Sequence, residues 1–126
     1  LKMIGHYIGM SFQIVDDILD FTSTEKKLGK PVGSDLMNGH ITLPVLLEMR
    51  KDKNFKQQIA KLTHQSDKSQ FSPIINRIKN SESINEAQKV SDKYLNKALN
   101  LIDQLEEPNA QSLFRKLIKR MRSRNI

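Results

Sequence analysis

Apolar residues recur along this chain at intervals of three and four, while the strict alternation of a strand is nearly absent. That period restricts the chain to helices packed on helices. The first segment, Leu1 to about Thr22, sets Ile4, Ile8, Met10, Phe12, Ile14, Val15, Ile18, Leu19 and Phe21 around most of its circumference. A helix apolar on most sides is a buried one. Gly5 and Gly9 lie one turn apart and predict close approach of a neighbouring helix. Leu1-Lys2-Met3 falls inside the apolar pattern with no capping residue before it, as expected of a cut through a longer helix.

From Ser23 to Gly39 the period breaks. Gly29, Pro31, Gly33 and Gly39, with Ser34, Asp35 and Asn38 among them, predict an irregular loop. Seventeen residues is long for a loop in a compact domain, and long ordered loops usually serve function. Helix resumes at Thr42-Leu43-Pro44, where proline fits the first turn, and runs through Met49. Further helices are predicted over about Asn54–His64 and from Ser72-Pro73 through Ile78. Ser83 and Glu86 have capping-box spacing and should open a helix of about 22 residues. Pro108 ends it, and a last helix sets Ala110, Leu113, Phe114, Leu117, Ile118 and Met121 on one face. The expectation is one all-α unit.

The chain has 126 residues, 37% apolar and 28% charged, which suits a soluble globular protein. It has no cysteine, so disulfides and thiolate metal sites are excluded, and a reducing, cytoplasmic setting is expected. No apolar run is long enough to span a bilayer. The net charge of +7 is concentrated at one end. Arg115, Lys116, Lys119, Arg120, Arg122 and Arg124 are six of the 21 basic residues, and without them 15 bases face 14 acids. Three readings fit that tail: a solvated helix end, closure over a diphosphate, or peripheral contact with an anionic membrane. A nucleic-acid module would use the same charge but would explain neither the acids nor the glycines described next, so no nucleic-acid partner is expected. His6, His40 and His64 have no ligand spacing, which argues against zinc.

Asp16, Asp17 and Asp20 interrupt the greasiest helix of the chain. At about 100° per residue they leave one side of it within a single turn. Like charges so close are costly unless a cation lies between them. Oxygen donors with no His or Cys nearby favour a hard ion, and Mg²⁺ takes one or two carboxylates and completes its shell with water and phosphate oxygens. The glycine loop follows directly, and Lys30 within it offers a compact charge to phosphate. The loop is not a P-loop, because neither the G-x-x-x-x-G-K spacing nor a preceding strand is present.

The run Gly5-x-x-x-Gly9-x-x-Phe12-Gln13-Ile14-x-Asp16-Asp17-x-Leu19-Asp20, then Gly29-Lys30-x-x-Gly33-x-Asp35-Leu36, then Gly39-x-x-Thr42-Leu43-Pro44, resembles the trans-prenyl diphosphate synthases, most of all the long-chain bacterial enzymes. The matched blocks span about residues 5–47. The resemblance implies an all-α helical bundle of the isoprenoid synthase type, with residues 1–126 as the C-terminal portion of a single domain. It implies a Mg²⁺-dependent prenyltransferase that condenses isopentenyl diphosphate head-to-tail with an allylic diphosphate to make a long-chain polyprenyl diphosphate. By the same resemblance, Asp16, Asp17 and Asp20 hold Mg²⁺ against the allylic diphosphate. Lys30 is the catalytic, diphosphate-binding cation. Asp35 supports the metal shell, and Phe12 and Gln13 line the isopentenyl side. Many relatives carry lysine where this chain has His40, so no diphosphate contact is assigned there. Such enzymes use two aspartate-rich runs and this chain carries one, so the chain alone is expected to be inactive. The expected assembly is a homodimer, or a heterodimer with a small subunit.

Overall fold

The structure, a computed structural model, describes residues 1–62 and 66–123. Among them are eight helices and no strand: α1 (Lys2–Thr22), α2 (Glu25–Leu28), α3 (Ser34–Met37), α4 (Leu43–Lys51), α5 (Lys53–Ala60), α6 (Lys68–Lys79), α7 (Glu82–Asp103) and α8 (Pro108–Ser123). The all-α expectation holds. The chain divides into two compact units, one of Leu1–Gln13 with Val90–Ile126, the other of Ile14–Lys89.

In the first unit, Ile4, Ile8 and Phe12 of α1 form a buried cluster with Leu95, Ala98 and Ile102 of α7 and Ile118 of α8. The period of three and four on each helix produces that core. The helices also share a buried polar contact: Ser91 Oγ donates to the Ser11 carbonyl at 2.9 Å, and the two hydroxyls lie 2.8 Å apart. Among the described residues nothing lies within 4 Å of a Cβ built on Gly5 or Gly9, so the close helix approach expected there is not seen among them. At the start of α8 the Glu107 carboxylate accepts from the Asn109 and Ala110 N–H groups, at 3.0 and 3.1 Å.

In the second unit, Phe21 of α1, Leu36 of α3, Val45 of α4, Phe55 and Ile59 of α5, and Phe71, Ile75 and Ile78 of α6 form the core. The segment predicted as an irregular loop contains two short helices. Thr24 caps α2 by accepting from Lys27 N–H, and Gly29 ends it in the left-handed region, where a residue without Cβ sits at no steric cost. Helix α5 is traced to Ala60, and His64 lies outside the described residues. Helix α6 begins at Lys68 rather than Ser72, because Asp67 and Gln70 form the capping box. Pro73 therefore sits inside the helix, and the carbonyl it leaves unpaired, at Ser69, is on an exposed residue that water can serve.

The capping box expected at Ser83 and Glu86 is absent. Helix α7 begins at Glu82, and Ser83 is fully buried, donating from Oγ to Glu48 Oε1 at 2.8 Å while Glu86 pairs with Lys51. Sequence spacing fitted a cap, but a buried acid on α4 competes for the serine. Arg77 of α6 joins the same network, donating from Nε to Glu48 at 3.0 Å and from a terminal nitrogen to Asp52 at 2.9 Å, with its guanidinium 4.3 Å above the Phe55 ring. Asp52 also caps α5. Glu48→Ala removes the acceptor of the buried Ser83 hydroxyl and one of the two carboxylates that hold Arg77, so a loss of about 2–3 kcal/mol is expected in urea denaturation. The Arg77 hydrogen bond, helped by the Asn54 N–H, holds the Asp52 carboxyl below its ordinary 3.8. A depressed folded value means stabilisation that is present above the unfolded value and lost as pH falls through the folded one. The stability gap between the native chain and Asp52→Asn should therefore be full above 3.8 and close in stronger acid.

Candidate active site

Helix α1 carries Asp16, Asp17 and Asp20 within the second unit, and the segment from Gly29 to Asp35 folds onto the last of them. Asp20 is the anchor. Its side chain is 1% exposed, yet the carboxylate carries three contacts and the backbone carbonyl a fourth. Oδ1 accepts from Ser34 Oγ at 3.3 Å and lies 3.4 Å from Lys30 Nζ. Oδ2 accepts from the Asp35 N–H at 3.2 Å, and the Asp20 carbonyl accepts from the Gly33 N–H at 2.8 Å. Gly33 sits at φ 76°, a left-handed conformation that turns the chain back toward the helix.

Lys30 bridges two carboxylates, Asp20 at 3.4 Å and Asp35 at 3.5 Å, and keeps 46% of its side chain exposed. Burial pulls its pKa down, but the charge of Asp20 and then that of Asp35 outweigh it, so the net shift is upward from 10.5. The lysine is thus a fixed cation throughout the neutral range. An ammonium has three N–H donors, one more than its two carboxylate partners require.

The three aspartates do not share one environment. Asp16 is exposed, Asp17 is 9% exposed, and Asp20 is sealed beneath the loop. Among the described residues no group of three or more His, Cys, Asp or Glu side chains stands in an arrangement to hold a metal ion. Mg²⁺ does not require one, since one or two carboxylates suffice when water and phosphate oxygens complete the shell. The all-oxygen character of Asp16 and Asp17 fits that need. Phe12 and Gln13 belong to the other compact unit, where Phe12 is buried in the core and Gln13 is exposed. Ser34 was missed by sequence reasoning as a partner of the acids. The signal was available in Gly33, since a glycine that reverses the chain brings the next residue onto the helix.

A family model described as polyprenyl synthetase matches residues 1–78. Heptaprenyl diphosphate synthase component 2 of Geobacillus stearothermophilus is 48% identical over 117 residues, 93% of this chain and 36% of the relative. The mitochondrial hexaprenyl pyrophosphate synthase of Saccharomyces cerevisiae is 37% identical over 109 residues, 86% of this chain and 23% of the relative. The crystal structure of heptaprenyl diphosphate synthase from Staphylococcus aureus superposes with a TM-score of 0.91 at 63% identity, covering 99% of this chain and 39% of that one. The chain therefore spans well under half the length of the relatives it matches. The aspartate-bearing helix and the lysine loop both lie within the matched residues, and the chain belongs to the polyprenyl synthetase family.

Proposed function

We infer that this chain is the diphosphate-handling part of a long-chain polyprenyl diphosphate synthase, which condenses isopentenyl diphosphate with an allylic diphosphate. The single observation that carries the reading is Lys30, a half-exposed cation fixed between two carboxylates immediately beside an acid-bearing helix. Mg²⁺ held at the aspartate turn, by Asp16 and Asp17, would supply positive charge to the departing diphosphate. Lys30 adds a second cation on a short leash, where it can stabilise the negative charge that develops as the allylic C–O bond breaks. Asp35 is the second carboxylate that holds Lys30, at 3.5 Å. Phe12 and Gln13 would contribute to the isopentenyl side. Isopentenyl diphosphate adds through its double bond to the allylic cation and then loses a proton, and apolar walls keep water from quenching the cation.

The assembly is proposed from the relatives: a protein designated component 2 supports pairing with a second, different subunit, with a homodimer as the alternative. No helix among the described residues is long and apolar enough to cross a membrane. Peripheral contact from a cytoplasmic location is supported by α8, which exposes Leu113 and Leu117 one turn apart beside Lys116 and Arg120. The function is tested by supplying labelled isopentenyl diphosphate and an allylic primer to the synthase that contains these residues. Extraction should yield a long polyprenyl diphosphate that forms only with Mg²⁺; hydrolysis of the primer without elongation would overturn the assignment.

A further inference from the structure

Within the Mg²⁺–diphosphate site, on whose reading this inference rests, the geometry points to Asp20 as a positioning residue that clamps the lysine loop, with Ser34 as its partner, rather than as a third metal ligand. Both carboxylate oxygens of Asp20 are engaged by the loop: Oδ1 by the Ser34 hydroxyl at 3.3 Å and Lys30 Nζ at 3.4 Å, Oδ2 by the Asp35 N–H at 3.2 Å. The backbone repeats the attachment, with Gly33 N–H on the Asp20 carbonyl at 2.8 Å. A Mg²⁺ ligand in such a site must share its metal with water and with phosphate, and so must reach an open surface. Asp20, at 1% exposure, does not. Asp16 is exposed and Asp17 is nearer the surface than Asp20, so ligation falls to that pair.

The clamp explains why a buried acid is tolerated. An uncompensated carboxylate in that position would be costly, but two hydrogen-bond donors and a cation surround this one. It also explains how a lysine, the side chain with most rotamer freedom to lose, is ready to meet a phosphate. Two carboxylates at 3.4 and 3.5 Å fix its ammonium before substrate arrives, so little ordering remains for the binding step. Ser34, 8% exposed, sets the angle of the Asp20 carboxylate and thereby acts on Lys30 at one remove.

Steady-state kinetics on the synthase, with Mg²⁺ titrated for each variant, separate the roles. Asp20→Asn should lower kcat/KM for the allylic diphosphate about 100-fold and Ser34→Ala about tenfold, the scale set by a misplaced catalytic group. Both should leave the half-saturating Mg²⁺ concentration within about twofold of native, whereas Asp17→Asn raises it about tenfold or more. Ser34→Thr, which keeps the hydroxyl, should restore the rate. In a Lys30→Gln background the Asp20 and Ser34 substitutions should cost little more, because the group they position is gone. Ser34→Ala carries the test if Asp20→Asn does not fold. The clamp is overturned if Asp20→Asn shifts the Mg²⁺ requirement as far as Asp17→Asn, or if Ser34→Ala adds its full effect on top of Lys30→Gln. Should neither Asp16→Asn nor Asp17→Asn alter the Mg²⁺ requirement, the metal reading fails, and the cycle with Lys30 still decides the clamp.

Discussion

Gly33→Val is expected to destabilise the second compact unit by about 2–5 kcal/mol, the sum of a left-handed β-branched residue and an overpacked core. Gly33 lies at φ 76°, where an L side chain is strained whatever space surrounds it. Space is also lacking. A Cβ there would stand 2.5 Å from Ile75 Cδ1, 2.6 Å from Cγ1 and 3.3 Å from Cγ2. The Cδ1 atom could swing aside, but Cγ1 and Cγ2 belong to a side chain fixed in the core beside Leu36 and Phe71. The strain falls where the loop is tied to α1, because the Gly33 N–H holds the Asp20 carbonyl and Ser34 follows it. Urea denaturation should show the loss, and hydrogen exchange should report the loop opening first. Gly9→Ala supplies the contrast: nothing lies within 4 Å of its Cβ and it sits in the middle of α1, so helix propensity should raise stability by about 0.5–1 kcal/mol.

Lys30→Gln should cost the synthase about 100- to 1,000-fold in kcat/KM, the range for removing one donor aimed at developing negative charge. Its effect on stability should be far smaller than that of Gly33→Val, about 1 kcal/mol, because the lysine is half exposed and solvent screens its pairings. The two variants therefore fail in different ways, one by unfolding and one by slow chemistry. Ionisation does not complicate the comparison. The folded pKa of Lys30 is raised above 10.5, so its contribution is fully present below that value and is lost only as pH rises through the folded value. Activity measured in the neutral range thus compares a charged lysine with a neutral amide at every pH. A Lys30→Arg variant should recover only part of the rate, since a planar fork cannot occupy the same gap between Asp20 and Asp35.

Much of the helical order was legible because burial writes itself into spacing. Ile4, Ile8, Phe12 and Phe21 of α1 and Ile118 of α8, named from the period of three and four, lie in the observed clusters, whereas Leu113 and Leu117 of the predicted α8 face are exposed. Helix starts were less legible. Ser83 with Glu86 and Ser72 with Pro73 both looked like openings, yet Ser83 is spent on Glu48 and α6 opens five residues earlier, at Asp67. In each case a contact made locally or at a distance outcompeted the reading of the serine, and single-sequence spacing carries no record of such competition. The candidate site was legible in composition but not in division of labour. Helical angles place Asp16, Asp17 and Asp20 on one side, and only the folded loop separates the exposed acid from the sealed one. The separation comes from Gly33, whose positive φ returns the chain to Asp20.

The account rests on the proposition that the aspartate turn and the lysine loop together bind a Mg²⁺–diphosphate. Calorimetric titration of pyrophosphate into the protein, with Mg²⁺ present and with it chelated, measures that most directly. Binding should appear only when Mg²⁺ is present, weaken by about tenfold or more in Asp17→Asn, and weaken again in Lys30→Gln. Equal affinity with the metal chelated, or binding unchanged by both substitutions, would contradict the account.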